Sequence, residues 1–223
     1  ILTRSNPHTK LSMLQKSNFT AAFLDARYVR ESPLSLIDSG VLDALAHGVE
    51  SHLSTRNHMG SEMFSEFGFR LFSEFKDNLL NASLTDEDYQ KMLVAASIQG
   101  SVLLLTSTSI PHGLGYPLSI NKGLNHGFSS TITLGEYMRS FKDQTEPNRV
   151  ARMCGFADEH EFAWYVDQLI ARNVHLEVTE AEIDQWSDEF MQQKKRLQNH
   201  PEPITRDDIK DMYMRSLKRY IVG

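Results

Sequence analysis

The sequence predicts a mainly α protein, a helical bundle over residues 33–223 with a shorter, different segment at 1–32. Two observations carry this. Apolar residues recur at helical spacing from Leu42 to Leu217, and that spacing is absent before Pro33. Thr179 with Glu182 and Thr205 with Asp208 also repeat the pattern of a helix start, a hydroxyl cap followed three residues later by an acid.

The elements follow in order. Asn18–Asp25 (Asn-Phe-Thr-Ala-Ala-Phe-Leu-Asp) is short, apolar and aromatic between polar residues, and predicts the chain's one strand. A lone strand leaves its backbone edges unpaired, so it needs partners that the rest of the chain does not supply. Ser32 and Pro33 read as the N-cap and first position of a helix, and Gly40 as a break before the next. Leu42, Leu45, Ala46, Val49 and Leu53 form one apolar stripe; Met63, Phe64, Phe67, Leu71 and Phe75 form a second. Met92–Leu105 is apolar on nearly all sides, with capping groups and acids for its first turn in Ser83–Asp88. Three amphipathic helices are expected at Glu159–Ala171, Glu180–Leu197 and Arg206–Tyr220.

The 223 residues carry 23 Lys and Arg against 29 Asp and Glu, a net charge of −6, which argues against nucleic acid or an anionic membrane as partner. No run approaches the roughly 18 apolar residues of a membrane span. The single cysteine, Cys154, excludes an intrachain disulfide and a cysteine-based zinc finger, and points to a reducing, cytoplasmic setting. The chain begins at Ile1 without a Met or a signal-peptide core, and reads as part of something longer.

One region departs from the helical pattern. Six of the twelve glycines lie between Gly100 and Gly135, together with Pro111 and Pro117. Such residues disfavour helix, so the stretch 111–127 reads as a loop built around a site. Asp43 and His47, four apart, project from one helix face, and His112 and His126 each stand beside a glycine. Three imidazoles and a carboxylate suit Fe²⁺, Zn²⁺, Ni²⁺ or Co²⁺ better than Mg²⁺ or Ca²⁺. Taken singly, each signal has a plainer reading: an Asp–His pair is a helix-surface ion pair, and a His before Gly caps a turn. The other histidines, His52, His58, His160, His175 and His200, show no ligand spacing and read as surface residues.

The segment Asp43-Ala44-Leu45-Ala46-His47-Gly48-Val49-Glu50 resembles the D-A-L-x-H-x-[IV]-E signature of the iron-dependent (group III) alcohol dehydrogenases. His112-Gly113-Leu114-Gly115-Tyr116-Pro117-Leu118 and Asn125-His126-Gly127 are similar to that family's second element. Phe23–Ala26 resembles its I-[VI]-D-P/A strand end, and Thr3–Asn6 a degraded T-G-S-E turn. The resemblance implies that Asp43, His47, His112 and His126 hold a divalent iron, or zinc as in some members. Glu50, seven residues after Asp43, returns to the same face and reads either as a partner of a ligand or as a solvated acid. Tyr116 stands where many members carry a histidine near the nicotinamide. The resemblance implies a catalytic and cofactor-contacting role there, beside the alternative of a packing tyrosine. Lys10 is matched, with a gap, to a lysine near the cofactor; a solvated lysine is the plainer reading.

The family's nucleotide half, with its glycine-rich phosphate loop, has no counterpart in this sequence. The resemblance therefore implies that 1–32 is the tail end of a nucleotide-binding α/β domain and 33–223 the metal-binding catalytic domain. It implies hydride transfer between NAD or NADP and a small alcohol or aldehyde polarised by the metal. The alternatives are a non-catalytic metal-binding helical fragment and, ranked last, a metal hydrolase. Without the nucleotide half, Phe19, Phe23, Leu114, Tyr116, Leu118 and Ile120 would form an uncovered apolar face with a free strand edge, which predicts a homo-oligomer.

Overall fold

The computed structural model describes residues 2–5, 8–11 and 20–223. The chain opens with a hairpin in which β1 (Leu2–Ser5) pairs antiparallel with β2 (His8–Leu11), Leu2 opposite Leu11 and Ser5 opposite His8. The strand expected at 18–25 is not formed in its described part. Residues 20–25 have no regular structure and Phe23 is 95% exposed; Asn18 and Phe19 lie outside the described residues. Among the described residues no sheet edge meets this segment, so its apolar residues have no ladder to join.

After a single turn, α1 (Arg27–Arg30), the bundle begins with α2 (Leu34–His52), α3 (Met59–Leu80) and α4 (Asp86–Thr106). α2 starts one residue later than expected, with Pro33 rather than Ser32 at the cap, and it runs through Gly40 without a break. That glycine is exposed and costs the helix about 1 kcal/mol against alanine, which nineteen cooperatively bonded residues absorb.

α3 turns a different face inward from the one its large apolar residues suggest. Met63, Phe64 and Phe67 are exposed, whereas Ser61, Ser65, Gly68, Phe69, Phe72, Phe75 and Leu79 are buried. The small residues let α3 lie close to its neighbours: Gln99 of α4 fills the space beside both Gly68 and Gly48, and its amide donates to the Ser65 carbonyl at 3.2 Å. α4 is likewise one-sided. Met92, Ala95, Gln99, Val102 and Thr106 face the core at helical spacing, and Leu104 and Leu105 face out.

The glycine-rich stretch 111–127 is mostly helix: α5 (Ile110–Asn121), then α6 (His126–Thr131) and α7 (Leu134–Arg139). Its glycines serve close packing, with Gly115 against the Ser129 backbone and Gly127 against the Ser39 carbonyl of α2. A methyl group at either would overlap backbone atoms. The real turn is at Gly123, whose φ of +69° lies in the left-handed region. Leu114 and Leu118 are fully buried and Tyr116 and Ile120 half-buried, so they do not form the exposed apolar face expected of them.

The remainder comprises α8 (Thr145–Met153), α9 (Glu159–Ala171), α10 (Glu180–Phe190), α11 (Lys194–Leu197), α12 (Arg206–Ser216) and a 3-10 turn at Lys218–Tyr220. α9 has the predicted bounds, while the expected helices at 180–197 and 206–220 are each interrupted. Thr85, Thr179 and Thr205 each cap a helix reciprocally with the acid three residues on. A continuous core joins all these helices, centred on Leu42, Phe69, Leu114, Phe162, Trp186 and Tyr213. Two histidines expected at the surface, His52 and His200, are buried, because helices distant in sequence cover them. Among the described residues no single helix is long and apolar enough to cross a membrane.

Candidate metal centre

Three helices supply the site. α2 presents Asp43, His47 and Glu50 from one face, as the four- and seven-residue spacings require. α5 brings His112 in its first turn, and His126 opens α6. Asn125 caps α6 by accepting from the Gly127 backbone N–H at 3.1 Å, and Ser39 of α2 donates to the same Asn125 side chain. With Gly127 lying on the Ser39 carbonyl, α6 is pinned against α2, and His126 is delivered to Asp43.

Asp43, His112 and His126 each offer a ligand atom, and these atoms lie within 4.8 Å of one another. Oδ1 of Asp43 stands 3.4 Å from His112 Nε2 and 3.7 Å from His126 Nε2. His47 flanks them, its Nε2 3.8 Å from Asp43 Oδ2 and its ring stacked on that of His112 at 4.8 Å. Asp43, His47 and His126 are partly open to solvent, so the cluster is reached from their side, while His112 forms its closed floor. The four residues singled out in the sequence thus share one location.

Glu50 lies beneath this floor with no exposed surface. Its Oε1 meets His112 Nδ1, and its Oε2 accepts the Ser109 backbone N–H at 2.5 Å. Ser130 donates to Asp43 Oδ1 at 2.8 Å. Of the two roles the sequence leaves open for Glu50, the structure makes it the partner of a site imidazole. Ser109 and Ser130 are not marked by the sequence motifs. Ser130 stands four residues after His126, and that helical spacing is the one local signal for it.

The electrostatics follow from burial and proximity. Burial opposes a charge on Asp43, yet the close approach of His112 and the charges of the surrounding imidazoles outweigh it and hold the carboxyl well below the usual range. Burial, and then repulsion from His112, push His47 down to about 4. For His112 burial also acts downward, but Glu50 and Asp43 prevail and raise it to about 9. The arrangement is a carboxylate that stays ionised among imidazoles competing for one positive charge.

The donor set fits a divalent cation. With Nδ1 of His112 engaged by Glu50, its Nε2 faces Asp43, buried and without a hydrogen bond. An imidazole oriented by a carboxylate on one nitrogen with its other nitrogen unsatisfied is the usual setting of a metal-binding histidine. Tyr116 lies one helical turn beyond His112. Its Oη accepts from Arg196 Nη2 at 2.7 Å, and the guanidinium lies 4.8 Å from the ring centre. Lys10 lies on β2, and its side chain lies outside the described residues.

Comparison with known proteins supplies a context for this geometry. The model of the C-terminal part of the Fe-containing alcohol dehydrogenase family matches residues 37–217. An iron-containing alcohol dehydrogenase from Thermotoga maritima superposes with a TM-score of 0.75 at 26% identity, over 87% of this chain and 52% of that one. A sulfoacetaldehyde reductase from Bifidobacterium kashiwanohense, solved in complex with NAD+, shares the fold with a TM-score of 0.72 at 23% identity, over 86% of this chain and 52% of that one. A phosphonoacetaldehyde reductase from Streptomyces viridochromogenes is 31% identical over 101 residues, 45% of this chain and 26% of that protein. The chain spans about half the length of these solved structures.

Proposed function

The chain belongs to the Fe-containing alcohol dehydrogenase family, whose C-terminal domain it carries, and from that premise we propose that it is the metal-holding part of an NAD(P)-dependent alcohol dehydrogenase or aldehyde reductase. The substrate class proposed is a small alcohol or its aldehyde. Residues 33–223 form the metal-binding domain in this reading, and 1–32 belong with a nucleotide-binding domain. The observation that carries the proposal is the meeting of Asp43, His112 and His126, with the His112 Nε2 atom unsatisfied at the centre.

Asp43, His47, His112 and His126 would hold the ion, Fe²⁺ by family and Zn²⁺ by ligand chemistry. When bound, a divalent metal supplies Lewis acidity, lowering the pKa of an alcohol hydroxyl and polarising an aldehyde carbonyl. The chain's own residues prepare for this. Glu50 fixes the ring of His112 and keeps Nε2 directed at Asp43, and Ser130 orients the Asp43 carboxylate. The buried floor of His112 and Glu50 excludes water from one side, leaving the His126 side for a substrate oxygen. Tyr116, held by Arg196, is assigned to hydrogen bonding at the substrate or nicotinamide, with Lys10 as a further cofactor contact. Hydride transfer needs a nicotinamide, and the described residues contain no parallel sheet with a phosphate-binding turn. The reading therefore places the pyrophosphate on a separate nucleotide-binding unit.

Metal analysis of the purified chain, with NADH- and NADPH-coupled assays on short aldehydes, tests the proposal. Loss of one metal equivalent in both Asp43→Asn and His126→Ala is expected. Retention of the full metal content in both variants would overturn the site. The absence of a phosphate-binding turn from the described residues favours one second reading, a metal-binding helical module without catalysis. Metal binding without turnover, even when the nucleotide-binding unit is present, selects it.

A further inference from the structure

We propose that a second divalent cation binds at the C-terminal end of α2, held by His52 Nε2 and the Glu146 carboxylate in an acidic cleft distinct from the Asp43 centre. His52 is the last residue of α2, and its side chain is 1% exposed. Its Nδ1 lies 2.9 Å from Ser65 Oγ, which also lies 3.0 Å from the Glu62 carbonyl. In the tautomer in which Ser65 donates to that carbonyl and accepts from His52 Nδ1–H, the neutral ring carries its lone pair on Nε2. That Nε2 is buried and makes no hydrogen bond, yet it stands 3.5 Å from Oε2 of Glu146. Two electron-rich atoms face each other, the arrangement a shared cation relieves.

Protonating His52 would relieve it as well, but burial works against that charge and holds the group below its ordinary value. The charges facing it are Glu62, Glu146 and Glu66, which favour the proton, and Arg149, which opposes it.

The surroundings supply the remaining negative charge. A cleft of about 370 Å³ opens beside His52, lined by Glu62, Asp143, Glu146 and Glu202, with Arg149 as its one basic residue. Arg149 is already divided, Nη1 to Glu62 at 2.7 Å and Glu146 at 3.4 Å, and Nη2 to Glu66 at 2.5 Å. Glu202 is held by the backbone N–H groups of Lys142 and Asp143, neutral donors that leave its charge in place. One imidazole nitrogen with carboxylate oxygens suits a Zn²⁺-type cation over Mg²⁺ or Ca²⁺. Glu62 shares Arg149 with Glu146 and adds to the negative charge of the cleft. None of these residues takes part in the Asp43 centre. An ion here ties the end of α2 to the first turns of α3 and α8, so its effect is on stability.

Equilibrium dialysis of the full chain against micromolar Zn²⁺, with metal counting and thermal melts, tests this. The equivalent assigned here should disappear in Glu146→Gln, a half-exposed change that leaves the fold intact, and in His52→Gln. It should persist in Asp43→Asn, whose melting temperature Zn²⁺ should raise by several degrees, an increase absent from the Asp43→Asn/Glu146→Gln double variant. Equal zinc content in the parent chain and Glu146→Gln, or no zinc bound by Asp43→Asn, overturns the proposal. Failure of the Asp43 centre alone reads differently: the parent chain then binds a single equivalent that only the His52 and Glu146 changes remove.

Discussion

Glu50 and His112 meet where neither has access to solvent, the carboxylate against Nδ1 and the opposite ring nitrogen facing Asp43. This contact sets both the orientation and the basicity of the imidazole. It joins two helices whose residues are 62 positions apart in sequence.

Replacing Glu50 with Gln keeps the shape and an acceptor oxygen but removes the charge. Metal affinity is expected to fall about 10–100-fold, as for other residues that orient a ligating histidine, with helix content unchanged. Competition with a fluorescent chelator measures it, and an unchanged dissociation constant would refute the role given to Glu50.

Gly127→Ala places a methyl group on the Ser39 carbonyl, which backbone cannot vacate without moving α6 from α2. A loss of about 1–3 kcal/mol is expected from overpacking, together with weaker metal binding through displaced His126. Gly40→Ala, at a helical position with open space around it, is the control and should stabilise by about 0.4–1 kcal/mol. Urea melts of the two variants should move in opposite directions.

His200 lies buried against Phe141 and Tyr137, its Nδ1 without a hydrogen bond, and burial lowers its pKa from 6.5 to about 4. The unfolded chain therefore binds more protons between those two values. Stability is unaffected by this group above pH 6.5 and falls as the pH drops toward about 4, where the loss reaches on the order of 3 kcal/mol. His200→Phe keeps an aromatic ring and removes the titration, so its stability should decline less over this range. Parallel pH profiles for the two proteins would disprove the assignment.

Asp38, without exposed surface, receives Arg172 Nε at 2.8 Å and Nη2 at 2.5 Å, and Asn173 Nδ2 at 2.7 Å. Arg172→Met strands most of that charge and should cost about 3–5 kcal/mol in denaturant unfolding. A loss below 1 kcal/mol would mean that Asn173 and water compensate the carboxylate.

The ligand-type residues were legible because their chemistry is encoded locally: an Asp and a His four apart on one helix, and two histidines beside glycines. The threonine caps were legible for the same reason, since each pairs with an acid three residues away. The inward face of α3 was not. Large side chains at Met63, Phe64 and Phe67 dominate any apolar pattern, while the contact is made by Ser61, Ser65 and Gly68, whose value is their small size. The glycines of 111–127 suggested a loop, because sequence shows that glycine is present without showing what approaches it. His52 and His200 resisted for a related reason: Ser65 and Glu146 meet the one, and Tyr137 and Phe141 cover the other, partners that no short-range pattern connects.

α2 also acts as a ruler. Asp38 anchors it to Arg172, Ser39 docks α6, Asp43 and His47 face the imidazoles, Glu50 fixes His112, and His52 closes the far end. Each added or deleted residue turns everything beyond it by about 100° and shifts it by about 1.5 Å. A single-residue insertion between Asp43 and Glu50 would put those two carboxylates on different sides of the rod, breaking the centre in one step while the helix itself survives. A change of length within this segment is therefore expected to break the centre, whereas substitutions at its exposed positions such as Ser35, Leu36 and Gly40 leave these contacts in place.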